Sequence, residues 1–181
     1  MPVSEATYRR VALEDTDDSW ELACGRLRKK PFMTTEHQGV ARAVLYQLIL
    51  QLDRNEFTVG EQVKVRTSAG SYYIPDVTVV PRVYERKLRE NPGTFEVYEE
   101  PLPLVLEVWS PSTGDYDVDD KLAEYRRRGD LEIWRIHPYE HTFIAWVRRA
   151  DGGYDEIRRK GGTVLPAYLP GVTIDLDTLF D

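Results

Sequence analysis

Apolar residues recur along the chain with two different periods. From Val40 they fall at Val44, Leu48 and Leu52, and in a second row at Ala41, Leu45 and Ile49. These i, i+4 rows predict a long amphipathic helix packed on something flat. Thr35, with Gln38 three residues on, fits a capping box at its start. Phe57, Val59, Val63, Val65 and the run Tyr72 to Val80 are rich in β-formers and flank a turn at 67–71, which predicts a hairpin. Pro75-Asp76 interrupts the second arm, and proline in a strand demands an edge, an end or a bulge. A short helix is expected over 82–89 and a turn at 91–93. The run Leu104 to Trp109 is almost unbroken in its apolarity, the pattern of a central strand covered on both faces, with Glu107 in its middle.

Ser110 to Gly114 ends that strand. Residues 117–128 predict a helix with Asp117 as N-cap, acids in the first turn and arginines in the last, as the helix dipole favours. Gly129 suits the position just past its end. Leu131 to Ile136 alternates as a strand, and 142–147 and 154–157 read as further strands about an Asp151-Gly152-Gly153 turn. The tail 169–180 reads as a loop and a short packed end. Helices interleave with strands without strict alternation, so the expected class is α/β or α+β with a central sheet of mixed direction flanked by helices. Without repeats or a Gly/Ser-rich linker, residues 1–181 are read as one domain.

With 41% hydrophobic residues, including 4 Trp, 11 Tyr and 5 Phe, the 181-residue chain has material for one core. No stretch approaches the roughly 20 apolar residues that span a bilayer, and the start has no apolar segment of signal type. The lone cysteine, Cys24, excludes an internal disulfide and a multi-cysteine zinc cage. Together these features predict a cytoplasmic protein. A net charge of −7 leaves no overall basic footprint, although basic clusters occur at 26–30, 126–128, 148–149 and 158–160.

Two acids stand out because their neighbours are apolar. Asp76 lies in Tyr72 to Val80 and Glu107 in Leu104 to Trp109. An ionised carboxylate in a buried strand is costly unless it is paired, hydrogen-bonded or bound to metal. If the two strands are neighbours, the acids approach each other and a divalent cation relieves their repulsion. Hard oxygen ligands in small number suit Mg2+ or Mn2+. Downstream, Lys121 and Tyr125 share one helix face. A lysine folded back over the strand end would hold or deprotonate a water, or stabilise phosphoryl charge. The plainer alternatives are a strand-end acid paired with arginine and a surface lysine paired with Glu124 or Asp117. Trp109, Trp134 and Trp146 are core candidates first and base-stacking platforms second.

The chain resembles the Uma-two type of restriction endonuclease within the PD-(D/E)XK nuclease superfamily. The stretches that carry the resemblance are Trp20-Glu21-Leu22 with Gly25, Met33 and His37, then Ile74-Pro75-Asp76-Val77. Leu106-Glu107-Val108-Trp109-Ser110-Pro111-Ser112-Thr113 follows, then Asp120-Lys121 with Tyr125 and Gly129, Glu132-Ile133-Trp134, and Leu169-Pro170-Gly171-Val172 with Leu176, Leu179 and Phe180. The resemblance implies a restriction-endonuclease-like core, metal ligation by Asp76, Glu107 and the Val108 backbone carbonyl, and a catalytic triad of Asp76, Glu107 and Lys121. The superfamily lysine position falls on Trp109, and the lysine is displaced to Lys121 on the following helix. Glu21, His37 and Tyr125 match as auxiliary positions. The function so implied is Mg2+- or Mn2+-dependent endonuclease action on DNA, with Arg126 and Lys29 as candidates for steering the backbone and a homodimer as the expected assembly. The rival is a catalytically silent nuclease-fold module that binds or dimerises.

Overall fold

The computed structural model describes residues 2–90, 92–93, 95–112 and 114–180, with the backbone alone described for 114–118. The elements run α1 (Glu5–Glu14), β1 (Trp20–Ala23), β2 (Arg26–Lys29), α2 (Thr35–Gln51), β3 (Phe57–Gly60), β4 (Val65–Arg66), β5 (Tyr72–Tyr73), β6 (Val77–Pro81), α3 (Arg82–Glu90), β7 (Leu104–Val108), α4 (Gly114–Arg128), β8 (Glu132–His137), β9 (Thr142–Arg148), β10 (Tyr154–Arg159), β11 (Thr163–Val164), β12 (Ile174–Asp175) and a 3-10 turn at Asp177–Leu179.

The most apolar run sits where its pattern predicts. β7 is buried throughout and lies inside a six-stranded sheet of order β10-β9-β8-β7-β6-β3. β7 pairs parallel with β8 and antiparallel with β6, so the sheet is of mixed direction. Side chains alternate across it. Leu104, Leu106 and Val108 join the core under α2, while Val105 joins the core under α4. Glu107 shares the parity of Val105 and therefore reaches toward α4.

The hairpin expected over 57–80 forms but divides between two sheets. β3 pairs with β6 in the main sheet, whereas β4 pairs with β5 in a smaller sheet of order β2-β1-β5-β4. The break on the second arm falls at Pro75, which has no N–H to continue a ladder. The turn at 67–71 closes through Thr67 N–H to Ser71 O at 2.8 Å, with Gly70 at φ 79°. β1 and β2, with α1, were not legible in the sequence.

α2 buries Val40, Ala41, Val44 and Leu48, as its rows predict, but Ile49 is exposed. The second row drifts off the sheet because 3.6 residues per turn does not repeat in fours. The helix begins one residue earlier than expected. Thr34 is its N-cap, its hydroxyl accepting from His37 N–H at 3.2 Å. The third residue after the cap is then a histidine, so no capping box closes. The side chains of Gln51 and Gln47 clasp the backbone of Thr173 and Asp175, pinning the tail so that Leu169, Val172, Ile174 and Leu176 close the core beneath α2.

α4 starts at Gly114 rather than at 117, so Asp117 lies within the helix and not at its cap. Thr113, Asn91 and the side chain of Asp117 lie outside the described residues. The helix ends as expected. Gly129, at φ 84°, donates to Arg126 O at 3.0 Å, and Asp130 N–H reaches Tyr125 O at 3.2 Å, a Schellman arrangement. Just beyond, Arg128 Nε meets both Asp130 carboxylate oxygens at 3.1 and 3.0 Å, and Asp130 Oδ1 accepts from Leu102 N–H at 2.7 Å. This buried staple fixes the end of α4 to the entry of β7.

Candidate active site

The register of β6 and β7 brings the two conspicuous acids together. Asp76 N–H donates to Leu106 O at 3.0 Å, and Asp76 Oδ2 accepts from Val108 N–H at 2.8 Å. Pro75 ends the ladder on one side, so the Asp76 side chain turns back onto the end of β7. Asp76 and Glu107 both line a cavity of ≈ 270 Å³, and Val108, His37, Lys121 and Glu21 line it with them. All three acids and Lys121 are buried.

The partners of Asp76 come from the end of β2 and from α2, whereas Glu21 and Glu107 share one lysine of α4. Lys30, just past β2, places Nζ 2.8 Å from Asp76 Oδ1 and 2.7 Å from Ile74 O. His37, in the first turn of α2, places Nε2 2.8 Å from Asp76 Oδ2. Since that oxygen accepts, Nε2 carries the proton. On the other side, Lys121 Nζ bridges Glu21 Oε1 at 3.0 Å and Glu107 Oε1 at 3.2 Å. Tyr125, one helical turn on, donates its hydroxyl to Glu107 Oε1 at 2.6 Å. Glu21 Oε1 also accepts from Ile74 N–H at 2.8 Å, which ties the smaller sheet to the site.

The electrostatics follow from burial and pairing. Burial alone would raise Asp76, but the Lys30 ammonium and His37 outweigh it and hold the carboxyl well below its usual range. Burial pushes Glu107 up; Lys121 pulls the other way, and the nearby Asp76 charge reinforces the rise. For Lys121, burial opposes the charged form, yet Glu107 and Glu21 prevail and raise it above an ordinary lysine. Burial thus keeps Glu107 high, while the two carboxylates beside Lys121 keep that lysine charged.

Three carboxylates, Glu21, Asp76 and Glu107, thus share the cavity wall with four basic side chains, Arg28, Lys29, Lys30 and Lys121. Among the described residues no group of three or more His, Cys, Asp or Glu forms a ligand cage. One or two carboxylates completed by water are what Mg2+ uses, so the donor set present at Asp76 and Glu107 fits a hard divalent ion and not zinc. His37 Nδ1 is buried without a hydrogen-bond partner among the described residues.

Every residue singled out from the sequence for this site is here: Asp76, Glu107, Val108 and Lys121, with Glu21, His37 and Tyr125. Lys121 is neither a surface lysine nor paired with Glu124. Arg126 lies away from the cavity, over the rings of Trp146 and Tyr154 at 5.5 and 5.6 Å. Lys29 lines the cavity but pairs with Asp18 at 2.6 Å. Lys30 was missed, and nothing in a run of basic residues would have separated it from its neighbours.

The mixed six-stranded sheet between helices is a restriction-endonuclease-like fold. The chain matches the family model Uma2, described as "Putative restriction endonuclease", over residues 6–177, and it belongs to that family. A crystal structure from Anabaena variabilis described as a "putative nuclease" superposes with a TM-score of 0.81 at 14% identity, covering 99% of this chain and 98% of that one. No curated protein matches the chain.

Proposed function

We propose that the protein is an endonuclease that hydrolyses DNA phosphodiester bonds with Mg2+ or Mn2+. The observation that supports this reading is the meeting of Asp76, Glu107 and Lys121 around one small cavity. Asp76, Glu107 and the Val108 carbonyl would hold the cation. When bound, such an ion polarises the phosphate and stabilises developing charge. Lys121, with its raised pKa, stays protonated at neutral pH. It therefore acts as a point charge and hydrogen-bond donor that orients water or offsets phosphoryl charge, and not as the base. Glu21 and Tyr125 position Lys121 and Glu107. The reading also expects a homodimer and a cytoplasmic location, which light scattering and fractionation check.

The deciding experiment is cleavage of plasmid and linear DNA with Mg2+, Mn2+ or EDTA by wild type, Asp76→Ala and Lys121→Ala. Metal-dependent cleavage lost by about 100-fold or more in both variants supports the reading. Cleavage that survives both substitutions overturns it. The rival, a silent nuclease-fold module, draws on the ammonium of Lys30 already set against Asp76. It predicts no cleavage of DNA and no metal binding by calorimetry in a folded protein.

A further inference from the structure

A larger concavity, of ≈ 900 Å³, adjoins the carboxylate cavity. The two share the segment 108–112 as a wall. Val108 and Ser112 line the carboxylate side, whereas Trp109 and Pro111 line the other. This second groove combines aromatic faces with a basic rim. Trp109 and His137 are stacked, ring centres 4.1 Å apart at 18°, and Tyr139 stands edge-on to Trp109 at 5.9 Å and 87°. Tyr139 is 47% exposed. Its hydroxyl donates to Thr34 Oγ1 at 3.2 Å, at the cap of the helix that carries His37 to Asp76. Arg158, Arg159 and Lys160 supply the rim, although Arg158 also pairs with Glu156 at 2.6 Å. In a chain of net charge −7, such a rim runs against the overall balance.

We propose that this groove is a subsite for an unpaired nucleobase of a single-stranded segment flanking the linkage addressed by the carboxylate cavity. The base lies against Trp109 and Tyr139, and the adjoining phosphates lie against Arg159 and Lys160. The proposal rests on the nuclease reading above and narrows its substrate to DNA with single-stranded character. Aromatic platforms recognise bases by stacking, and a base paired within a duplex has no free face to offer. Cations at the rim meet the phosphates that such a strand must carry. Tyr139, held by its hydroxyl, presents its ring with little conformational freedom left to lose.

The test is fluorescence anisotropy in EDTA, so that it reads binding without cleavage. A short labelled oligothymidylate is compared with a hairpin duplex of equal length, and with free thymidine monophosphate as competitor. Single strand should bind about tenfold or more tightly than duplex, and quench tryptophan emission in wild type but not in Trp109→Phe. Tyr139→Ala should weaken single-strand binding about tenfold, and Tyr139→Phe, which keeps the ring, should recover most of the loss. Arg159→Ala and Lys160→Ala should each lower the salt slope of binding by about 0.7. Equal affinity for duplex, indifference to Tyr139→Ala, or displacement by the free nucleotide as effective as by the strand would overturn the proposal. If Tyr139→Ala binds single strands like wild type while metal-dependent duplex cleavage persists, the subsite fails and the nuclease reading stands. A wild type that binds no nucleic acid sinks both.

Discussion

Lys30 Nζ lies 2.8 Å from Asp76 Oδ1, so an ammonium from the end of β2 holds the position next to that carboxylate where a cation would be welcome. The pair is buried, with side chains only 7% and 5% exposed. Removing one partner of a buried pair typically costs about 3–5 kcal/mol because the other charge is left uncompensated. Lys30→Met should therefore destabilise the metal-free protein by roughly that amount in urea denaturation. Added Mg2+ or Mn2+ should raise the melting temperature of both proteins by mass action, and by more in Lys30→Met, where the ion replaces the missing charge. An equal response, or no rise at millimolar metal, would count against ion binding beside Asp76.

Lys121 and Glu21 separate charge from position. Lys121→Arg keeps a cation but replaces a compact ammonium with a planar fork that cannot sit between Glu21 and Glu107 in the same way. It should lose most cleavage activity, about 100-fold, while binding DNA normally. Glu21→Gln should lower activity less, since Glu107 still holds the lysine. A Lys121→Arg enzyme as active as wild type would show that only the charge matters.

The Glu5 carboxyl of α1 should contribute to acid sensitivity. Hydrogen bonds from Arg66, at 3.0 Å, and from Tyr72, at 2.7 Å, hold Glu5 below its ordinary value of 4.5. A depressed carboxyl contributes stability above its unfolded pKa and loses it as pH falls through the folded value. Glu5 is partly exposed, so that contribution is about 1 kcal/mol or less and shrinks with salt. The stability gap between wild type and Glu5→Gln should be widest at neutral pH and close as pH drops below 4.5. Denaturation midpoints measured across that range would show it; a gap independent of pH would refute the pairing.

The Arg128–Asp130 staple should matter more than any surface pair. Its charges are 2% and 0% exposed, and Arg128 Nη1 also donates to Tyr98 O at 2.9 Å. Arg128→Ala should cost about 3–5 kcal/mol. A double-mutant cycle with Asp130→Asn should show strong coupling, since both substitutions strip the same interaction. Additive effects would mean that the two residues act separately.

The sequence made the site legible where local rules and the fold agree. Asp76 and Glu107 were visible because acids within apolar strands demand an explanation, and Lys121 with Tyr125 because one helical turn separates them. The resemblance added Glu21 and His37, whose neighbours alone gave little signal. Other features depended on distant chain. Lys30 meets a residue 46 positions away, and its neighbours look the same whether solvated or buried. β2, Arg-Leu-Arg-Lys, has a single apolar residue, and α1 buries only Tyr8, so neither carried a readable period. The helix cap shifted by one residue because two adjacent threonines offer the same hydroxyl.

Trp109 stands where the superfamily pattern expects a lysine, and the strip it belongs to is a party wall one backbone thick. Val108 meets the acids through its backbone N–H, while Trp109 furnishes the aromatic side. The residue next to Trp109 in the chain, Val108, is the one whose amide donates to Asp76 Oδ2 at 2.8 Å. Recognition and chemistry would consequently adjoin at this point, and substitutions at 109 should alter turnover together with ligand choice.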